Sequence, residues 1–191
     1  TVAPAAAPGV PPPVPEGATR IVIHAKPGDI IADLYGDKAP VTVANFLRYV
    51  DQKRFDAMTF YRASHPDNVL DYGVIQGGLN GNAAKMLKPI AHEPTSKTGI
   101  IHLDGTLSMG RLAPGTATAD FFICVGDSPY LDADPSQPGD NLGFAAFGRV
   151  VQGMDIVRQI LVLPRSPTRG VGPMKGQLLE PPVPISTVRR V

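Results

Sequence analysis

The chain has 191 residues, of which 43% are apolar, so it is long enough for one domain with a sizeable core. A formal net charge of +1 and a charged fraction of 18% give no sign of a nucleic-acid-binding surface. No apolar run reaches the roughly 18 residues of a membrane span, and the single cysteine, Cys124, excludes an internal disulfide and predicts a buried, inert thiol.

The first 17 residues, TVAPAAAPGVPPPVPEG, contain six prolines and four alanines. Proline removes backbone donors and favours extended segments, so residues 1–17 are predicted to be a flexible linker before one domain at residues 18–191. A threonine start ahead of such a linker favours an exported, periplasmic product whose signal peptide has been removed. The alternatives are a cytoplasmic protein and a chain cut at a convenient place.

Residues 19–40 have the pattern of two strands joined by a turn. Ile21 and Ile23 alternate with their neighbours, and Lys26-Pro27-Gly28-Asp29 has the composition of a tight turn before a second strand at residues 30–34. Pro40 precedes an amphipathic helix over residues 41–52, where apolar residues recur at i, i+3, i+4 and i+7.

Further strands and a second helix follow this helix. The strands are predicted at residues 58–63, 74–77, 106–109, 121–125 and 144–150. A helix over residues 152–163 ends at Pro164, and the prolines of a last strand within residues 178–188 confine it to a sheet edge or interrupt it. Short strands without a βαβ rhythm favour a mainly β fold, an antiparallel barrel or sandwich capped by helices.

Arg62 and Gln76 are the candidate functional residues, because each lies in or at the end of an apolar strand. Strict alternation from Met58 onward puts Arg62 on the same strand face as Phe60 and Met58. An arginine among apolar neighbours is costly to desolvate unless it has partners. The alternatives are an arginine that reaches water from a strand end and a glutamine that bonds only to backbone.

Other candidate chemistries lack the spacing that they need. The four histidines have no metal-binding spacing, so no metal site is predicted. The glycines of GTLSMG stand three before and two after Ser108, which fails the G-x-S-x-G pattern of a nucleophile elbow. Asp104 and Asp120 have no pairing feature, and the glycine-rich residues 170–177 lack the helix that follows a phosphate-binding loop.

Seven stretches occur in a specific order: GDIIADLYGDKAPVTVANFLRYV, FYR, VIQGG, GTLSMG, ADFFICV, SPYLD and FAAFGRVVQGMDIV. Together they resemble the cyclophilin family of peptidyl-prolyl cis-trans isomerases, and bacterial members most, over all of the chain but the linker. The resemblance implies a closed eight-stranded antiparallel barrel capped by two α-helices. It also implies an active groove on the outer face of the barrel and a reaction that needs no cofactor or metal.

The resemblance assigns the groove position by position. The family's catalytic arginine falls on Arg62 and its groove glutamine on Gln76. The two positions of the proline pocket fall on Phe122 and Leu131, and the aromatic at the pocket rim falls on Tyr130. A substrate-binding position that is often histidine falls on Phe144, and one that is often methionine falls on Val74.

The chain departs from the family pattern at three groove positions. Arg111 stands where asparagine is common, and Asp120 stands where glutamine is usual. Gly73 replaces a pocket phenylalanine, with Tyr72 beside it as a substitute. We expect Arg111 and Asp120 to form an ion pair across the groove, which would alter the contacts to the substrate backbone.

The resemblance therefore predicts a monomeric enzyme that accelerates Xaa-Pro bond rotation in proline-containing polypeptides and so assists folding. One alternative is a proline-peptide-binding chaperone module whose catalysis Arg111 and Asp120 have weakened. Another is a structural envelope protein held by the linker, and this interpretation gives Arg62 no role.

Overall fold

The structure is a computed structural model that describes residues 9–191. The first eight residues of the predicted linker lie outside the described residues. The ordered elements are β1 (Ala18–Ala25), β2 (Gly28–Tyr35), α1 (Pro40–Asp51), β3 (Met58–Ser64), β4 (Gly73–Gly78), α2 (Thr95–Thr98), β5 (Thr106–Met109), β6 (Phe121–Val125), β7 (Ala146–Gln152), α3 (Met154–Leu161) and β8 (Leu178–Arg190). Two single 3₁₀ turns, Pro129–Leu131 and Gly172–Met174, lie between them.

The eight strands form one closed antiparallel barrel in the order β1-β2-β7-β5-β6-β4-β3-β8. The prediction of a closed eight-stranded barrel is confirmed. Closure pairs both edges of every strand, so the barrel presents no free edge for a second chain. Among residues 9–191, no helix is long and apolar enough to cross a membrane.

The interior of the barrel is filled by the inward-facing residues of the strands and by the apolar faces of α1 and α3. Phe46 of α1 contacts Phe121 edge-on at 5.3 Å between ring centroids and Phe147 at 5.2 Å. Each fully buried aromatic of this kind contributes about 1.5–3 kcal/mol relative to exposure. The apolar faces that the amphipathic pattern predicted for α1 and α3 are therefore the faces that pack against the barrel.

The start of α1 receives its cap from a distant residue. Pro40 opens the helix and no side chain of the preceding residue caps it. Instead, the backbone N–H and the hydroxyl of Thr42 both donate to Glu93 Oε1 at 2.7 Å, and both residues are buried. A carboxylate at a helix N-terminus also interacts favourably with the helix dipole, so Glu93 fixes the segment before α2 to α1.

The last strand is longer than predicted and does not lie at an edge. β8 lies between β1 and β3, with Val183 opposite Phe60 and Leu178 opposite Arg62. The residues between Leu178 and Val183, which include Pro181 and Pro182, have no partner on β3 in this register, whereas Pro184 lies opposite Thr59. β8 is one continuous strand of 13 residues with an irregular register on its β3 side, so the predicted edge position is wrong and the strand is not interrupted.

Candidate active site

Arg62 faces the outside of the barrel because β3 carries a bulge at Tyr61. Phe60 pairs with Gly77 and Arg62 pairs with Gln76, so Tyr61 is an extra residue with no partner of its own on β4. A bulge moves the following residues by one position and reverses the face to which they point. Phe60 is therefore in the core, while Arg62 is half-buried on the outer surface. The prediction that Arg62 shares a face with Phe60 and Met58 is wrong.

The two glycines after Gln76 allow residues of the neighbouring strands to approach β4 closely. A Cβ atom at Gly77 would lie 2.8 Å from the Phe60 ring and 3.0 Å from the Thr59 carbonyl oxygen. At Gly78, which has a φ of +138°, a Cβ atom would collide with Asp120. The sequence VIQGG therefore places a glutamine on the outer face and follows it with two positions where no side chain fits.

Four outward-facing residues form a row across neighbouring strands. Arg62 on β3 lies opposite Gln76 on β4, Gln76 lies opposite Phe122 on β6, and Phe122 lies opposite Ser108 on β5. We call these four residues the outward row. Strands are about 5 Å apart, so the row spans the distance that a few residues of an extended peptide would cover.

The guanidinium of Arg62 is held by two glutamines. Its Nη1 donates to Gln76 Oε1 at 2.8 Å, and its Nε donates to Gln177 Oε1 at 2.8 Å. These bonds use two of the five N–H groups of a guanidinium. Burial lowers the pKa of Arg62, but an arginine remains cationic in proteins at all ordinary pH values. Arg62 is thus an oriented cation with donors left for a ligand.

A second set of hydrogen bonds orients the amide of Gln76. Gln76 Nε2 donates to the hydroxyl of Tyr61 at 2.8 Å, and that hydroxyl donates to Asp120 Oδ1 at 3.2 Å. The backbone N–H of Asn80 donates to the same carboxylate oxygen at 2.9 Å. An ionised carboxylate can only accept, so the Tyr61 hydroxyl donates to Asp120 and accepts from the amide nitrogen of Gln76. The amide oxygen of Gln76 then accepts from Arg62. We call Asp120, Tyr61, Gln76 and Arg62 the hydrogen-bond relay.

Burial shifts the pKa of both groups at the start of the relay. Desolvation raises the pKa of Asp120, while the N–H of Asn80 and the hydroxyl of Tyr61 oppose that shift. Desolvation also raises the pKa of Tyr61, and the negative charge of Asp120 adds to the effect. Tyr61 therefore keeps its proton and remains able to donate it in a hydrogen bond.

Arg111 and Asp120 do not pair, and the predicted ion pair across the groove is wrong. Arg111 bonds to both carboxylate oxygens of Asp140 at 2.9 and 3.0 Å and to the carbonyl oxygen of Gly143. Its guanidinium carbon also lies 5.2 Å from the centroid of the Phe144 ring. A planar fork suits such a two-point contact, so Arg111 fixes the loop before Phe144 while Asp120 belongs to the relay.

Three apolar residues that the resemblance assigns to substrate binding are connected to one another beside the outward row, and we call them the apolar pocket: Phe122, Leu131 and Phe144. The Phe122 and Phe144 rings meet edge to face at 5.4 Å and 85°. Phe122 is only 6% exposed although it lies outside the barrel core. The backbone N–H of Phe144 donates to the Leu131 carbonyl at 2.9 Å, which keeps Phe144 in a loop and delays the start of β7 to Ala146. These two contacts connect Phe144 to both Phe122 and Leu131.

The remaining predicted site residues lie around the pocket. Tyr130 shares the 3₁₀ turn with Leu131 and is 66% exposed. Tyr72 lies beside Tyr130 and against Gly126. Val74 lies opposite Cys124, on the outward face of β4 with Gln76. The Cys124 thiol is buried, as predicted, and desolvation raises its pKa to about 12.

Tyr61 and Gln177 were not predicted as site residues. Tyr61 lies in the quoted motif FYR, and the only signal for it is its position next to Arg62. Gln177 is 115 residues from Arg62 in the chain, and no local pattern marks it. In the part of the chain that the structure describes, no group of three or more His, Cys, Asp or Glu residues is arranged to hold a metal ion.

A closed antiparallel barrel whose outer face carries an arginine–glutamine pair beside an apolar pocket defines a cyclophilin-like protein. The sequence model of the family described as "Cyclophilin type peptidyl-prolyl cis-trans isomerase/CLD" matches residues 20–189. The chain therefore belongs to the cyclophilin-type peptidyl-prolyl cis-trans isomerases, and its activity is the isomerisation of Xaa-Pro peptide bonds.

Curated relatives support this membership. The chain is 34% identical over 152 residues to a peptidyl-prolyl cis-trans isomerase of Acinetobacter baylyi, which covers 78% of this chain and 74% of that protein. It is 35% identical over 144 residues to peptidyl-prolyl cis-trans isomerase B of Escherichia coli, which covers 73% of this chain and 82% of that protein. The bacterial character of the motifs agrees with these similarities.

Solved structures share the fold. A cyclophilin-type isomerase of Cryptosporidium parvum superposes with a TM-score of 0.71 at 17% identity and covers 91% of this chain and 98% of that chain. The same protein in the presence of the dipeptide Ala-Pro gives a TM-score of 0.70 at 18% identity, covering 90% of this chain and 98% of that chain. The matching family and the two curated relatives are described as isomerases, and nothing in those descriptions favours a catalytically weakened chaperone module.

Proposed function

We propose that Arg62 stabilises the twisted Xaa-Pro bond of a polypeptide whose proline ring sits in the apolar pocket. One observation carries the proposal: Arg62, Gln76 and Phe122 face outward from three neighbouring strands in one register. Two strand spacings, about 10 Å along the sheet, separate the backbones of Arg62 and Phe122. Side chains of these lengths can therefore both contact one short peptide.

The chemical problem is rotation about an amide bond. Resonance sets a barrier of roughly 18–20 kcal/mol, and uncatalysed exchange of an Xaa-Pro bond takes tens to hundreds of seconds. Halfway through the rotation the conjugation is lost, and a lone pair becomes localised on the prolyl nitrogen. A donor that binds this nitrogen stabilises the twisted state more than either planar state, and this difference is what accelerates the reaction.

Arg62 supplies that donor as a cation in a fixed orientation. Gln76 and Gln177 hold its Nη1 and Nε, so the guanidinium does not need to reorganise when the bond twists. Preorganised donors of this kind are most effective in partly dry sites. Gln76 acts in this scheme as a positioning residue, and its amide is itself oriented by Tyr61.

The apolar pocket holds the proline ring while the rest of the chain turns. Phe122, Leu131 and Phe144 offer an apolar surface that contributes about 25 cal/mol for each Å² of ring area that it buries. The pocket binds the ring equally before and during rotation, so it lowers KM rather than raising kcat. Tyr130 and Tyr72 would contact the residues that follow the proline.

The proposed substrates are proline-containing segments of other polypeptides, with Ala-Pro as a suitable sequence. The dipeptide used with the Cryptosporidium parvum protein supports this choice. The exposure of Tyr130, 66%, supports entry of an extended segment from solvent. A monomeric state, a periplasmic or otherwise exported location, and the linker over residues 1–17 stay predictions.

The proposal is tested by replacing the cation. In an assay that couples isomerisation of an Ala-Pro peptide to a protease specific for the trans form, Arg62→Ala should lower kcat/KM by about 100-fold or more, as loss of a preorganised donor does elsewhere. Arg62→Lys should remain impaired because an ammonium lacks the fork that binds both glutamines. Arg158→Ala, on the exposed part of α3, is the matched control and should behave as wild type. Equal activity of wild type and Arg62→Ala would refute the assignment.

A further inference from the structure

His102 makes four hydrogen bonds behind the apolar pocket. Its imidazole has no solvent exposure. Nδ1 lies 2.6 Å from Asp132 Oδ1, and Nε2 lies 2.8 Å from Ser108 Oγ. The backbone N–H of His102 donates to the same Asp132 oxygen at 3.0 Å, and its carbonyl accepts from the N–H of Ser128 at 2.8 Å.

The partners of His102 fix its protonation pattern. The Asp132 carboxylate can only accept, so Nδ1 carries a hydrogen and donates it. In the neutral ring Nε2 then has a lone pair, which accepts the hydroxyl hydrogen of Ser108. Burial lowers the pKa of His102 and so favours this neutral form, although the charge of Asp132 opposes the shift.

These bonds join His102 to both ends of the turn that carries Leu131. Ser128 precedes the 3₁₀ turn Pro129–Leu131, and Asp132 follows it. The His102 backbone therefore binds the residue before the turn and the residue after it, and the imidazole adds a second bond to Asp132. The position of Leu131 in the apolar pocket depends on the anchors at these two ends.

His102 also supports the aromatic wall of the pocket. Its ring is nearly parallel to that of Phe122, with 14° between the planes and 6.0 Å between the centroids. This separation lies within the range of offset-stacked aromatic pairs. Ser108, which donates to Nε2, lies opposite Phe122 on the neighbouring strand. One buried side chain therefore contacts the wall and anchors the turn of the same pocket.

The order Ser108, His102, Asp132 is the hydrogen-bond order of a hydrolytic triad, but nucleophilic chemistry does not fit the site. Ser108 is 0% exposed and His102 is 1% exposed, so no substrate carbonyl reaches the serine oxygen. A role in which these groups hold other residues in place accounts for their burial and for their complete set of partners.

We propose that His102 is a positioning residue for the proline substrate, because it contacts the ring of Phe122 and anchors both ends of the turn that carries Leu131. This inference rests on the proposed function, since it takes the apolar pocket as the seat of the ring. His102 contacts no substrate atom, and its effect is transmitted through Phe122 and through the turn Pro129–Leu131.

The test separates binding from chemistry. His102→Phe keeps an aromatic ring but removes the imidazole bonds to Asp132 and Ser108, so KM for an Ala-Pro peptide should rise about tenfold while kcat stays within about twofold. His102→Asn places an amide nitrogen where Nδ1 stands and so keeps a donor for Asp132; its KM should lie between those of wild type and His102→Phe. Ser108→Ala should raise KM about threefold. If the His102 variants do not fold, Ser108→Ala replaces them as the test.

Two controls distinguish positioning from general destabilisation. His24→Phe removes an exposed histidine whose Nδ1 lies 2.8 Å from Asp29, and it should leave KM unchanged. Glu93→Ala lowers stability at the start of α1 and should also leave KM unchanged at a temperature where it is folded. Wild-type KM in the folded His102 variants, or in Ser108→Ala if those variants do not fold, would overturn the inference.

Failure of the proposed function has a different signature. In that case the Arg62→Ala variant would have the same kcat/KM as the wild type. Binding of the Ala-Pro peptide to the wild type and His102 variants, followed by NMR through the Phe122 ring protons, measures Kd without turnover. Equal Kd values in the folded variants would overturn the role of His102 even if Arg62 proved to be essential.

Discussion

Arg62 and Gln76 lie directly opposite each other on β3 and β4, and the guanidinium donates to the amide oxygen at 2.8 Å. This pairing exists because Tyr61 is inserted as a bulge residue and brings Arg62 to the outer face. The same insertion brings the Tyr61 hydroxyl to the amide nitrogen of Gln76. One irregularity in one strand therefore supplies both the cation and the group that orients its partner.

Loss of the Tyr61 hydroxyl should impair catalysis without unfolding the protein. Tyr61→Phe removes the acceptor of Gln76 Nε2 and the donor to Asp120, which frees the amide to rotate away from Arg62. We expect kcat/KM to fall about fivefold to tenfold, as is typical for loss of one or two hydrogen bonds. Tyr35→Phe, on β2, is the control. The relay has no catalytic role if the two variants have equal kcat/KM.

Arg111 should be coupled energetically to Asp140 and not to Asp120. In double-mutant cycles on KM for an Ala-Pro peptide, Arg111→Ala with Asp140→Ala should be clearly non-additive, because each removes the same contact. Arg111→Ala with Asp120→Ala should be additive within about 0.5 kcal/mol. Each cycle requires the two single variants and the double variant. Strong coupling between Arg111 and Asp120 would contradict the hydrogen bonds described above.

Glu93 should stabilise the fold through the first turn of α1. Glu93→Ala leaves the buried N–H of Thr42 without an acceptor, and the free energy of unfolding should fall by about 1–3 kcal/mol. Glu93→Gln keeps a neutral acceptor and should lose less. The measurement is urea unfolding, with Glu180→Ala as a control at an exposed glutamate. A Glu93→Ala protein as stable as wild type would show that water replaces the cap.

His102 should make stability depend on pH below neutrality. Burial holds the pKa of His102 below its ordinary value of about 6.5, so the unfolded chain binds this proton more readily than the folded one. The stability from this group is present above about pH 6.5 and is lost as the pH falls toward the folded pKa.

Unfolding of wild type and His102→Asn between pH 7.5 and pH 5 tests this linkage. The variant should lose less stability than wild type over that interval, because it lacks the titrating ring. Identical losses in wild type and His102→Asn would mean that His102 titrates at the same pH in both states.

Local pattern was sufficient to predict most elements of this fold. Alternation identified the strands, and the spacing of Val43, Phe46, Leu47 and Val50 identified α1 within one residue at each end. The resemblance of ordered motifs assigned Arg62, Gln76 and Phe122 to one groove, and the register of β3, β4 and β6 brings them into one row.

The errors arose where local pattern carries no information. A prediction from alternation assumes that no extra residue is inserted into the strand. It therefore misses the bulge at Tyr61 and places Arg62 on the wrong face. Contacts between residues far apart in the chain were also missed, such as Thr42 with Glu93 over 51 positions and Arg111 with Asp140 over 29 positions. The opposite charges of Arg111 and Asp120 suggested a pair, but charge alone does not identify a neighbour.

The bond between Arg62 and Gln177 joins a residue of β3 to one that is made 115 residues later in the chain. Gln177 immediately precedes β8, the strand that closes the barrel between β1 and β3. A nascent chain that ends before this point has already made Arg62 and Gln76 but lacks both the second anchor of the guanidinium and the closing strand. The guanidinium of Arg62 therefore gains its second anchor only after the chain has been synthesised past residue 177, at the same stage as the strand that closes the barrel.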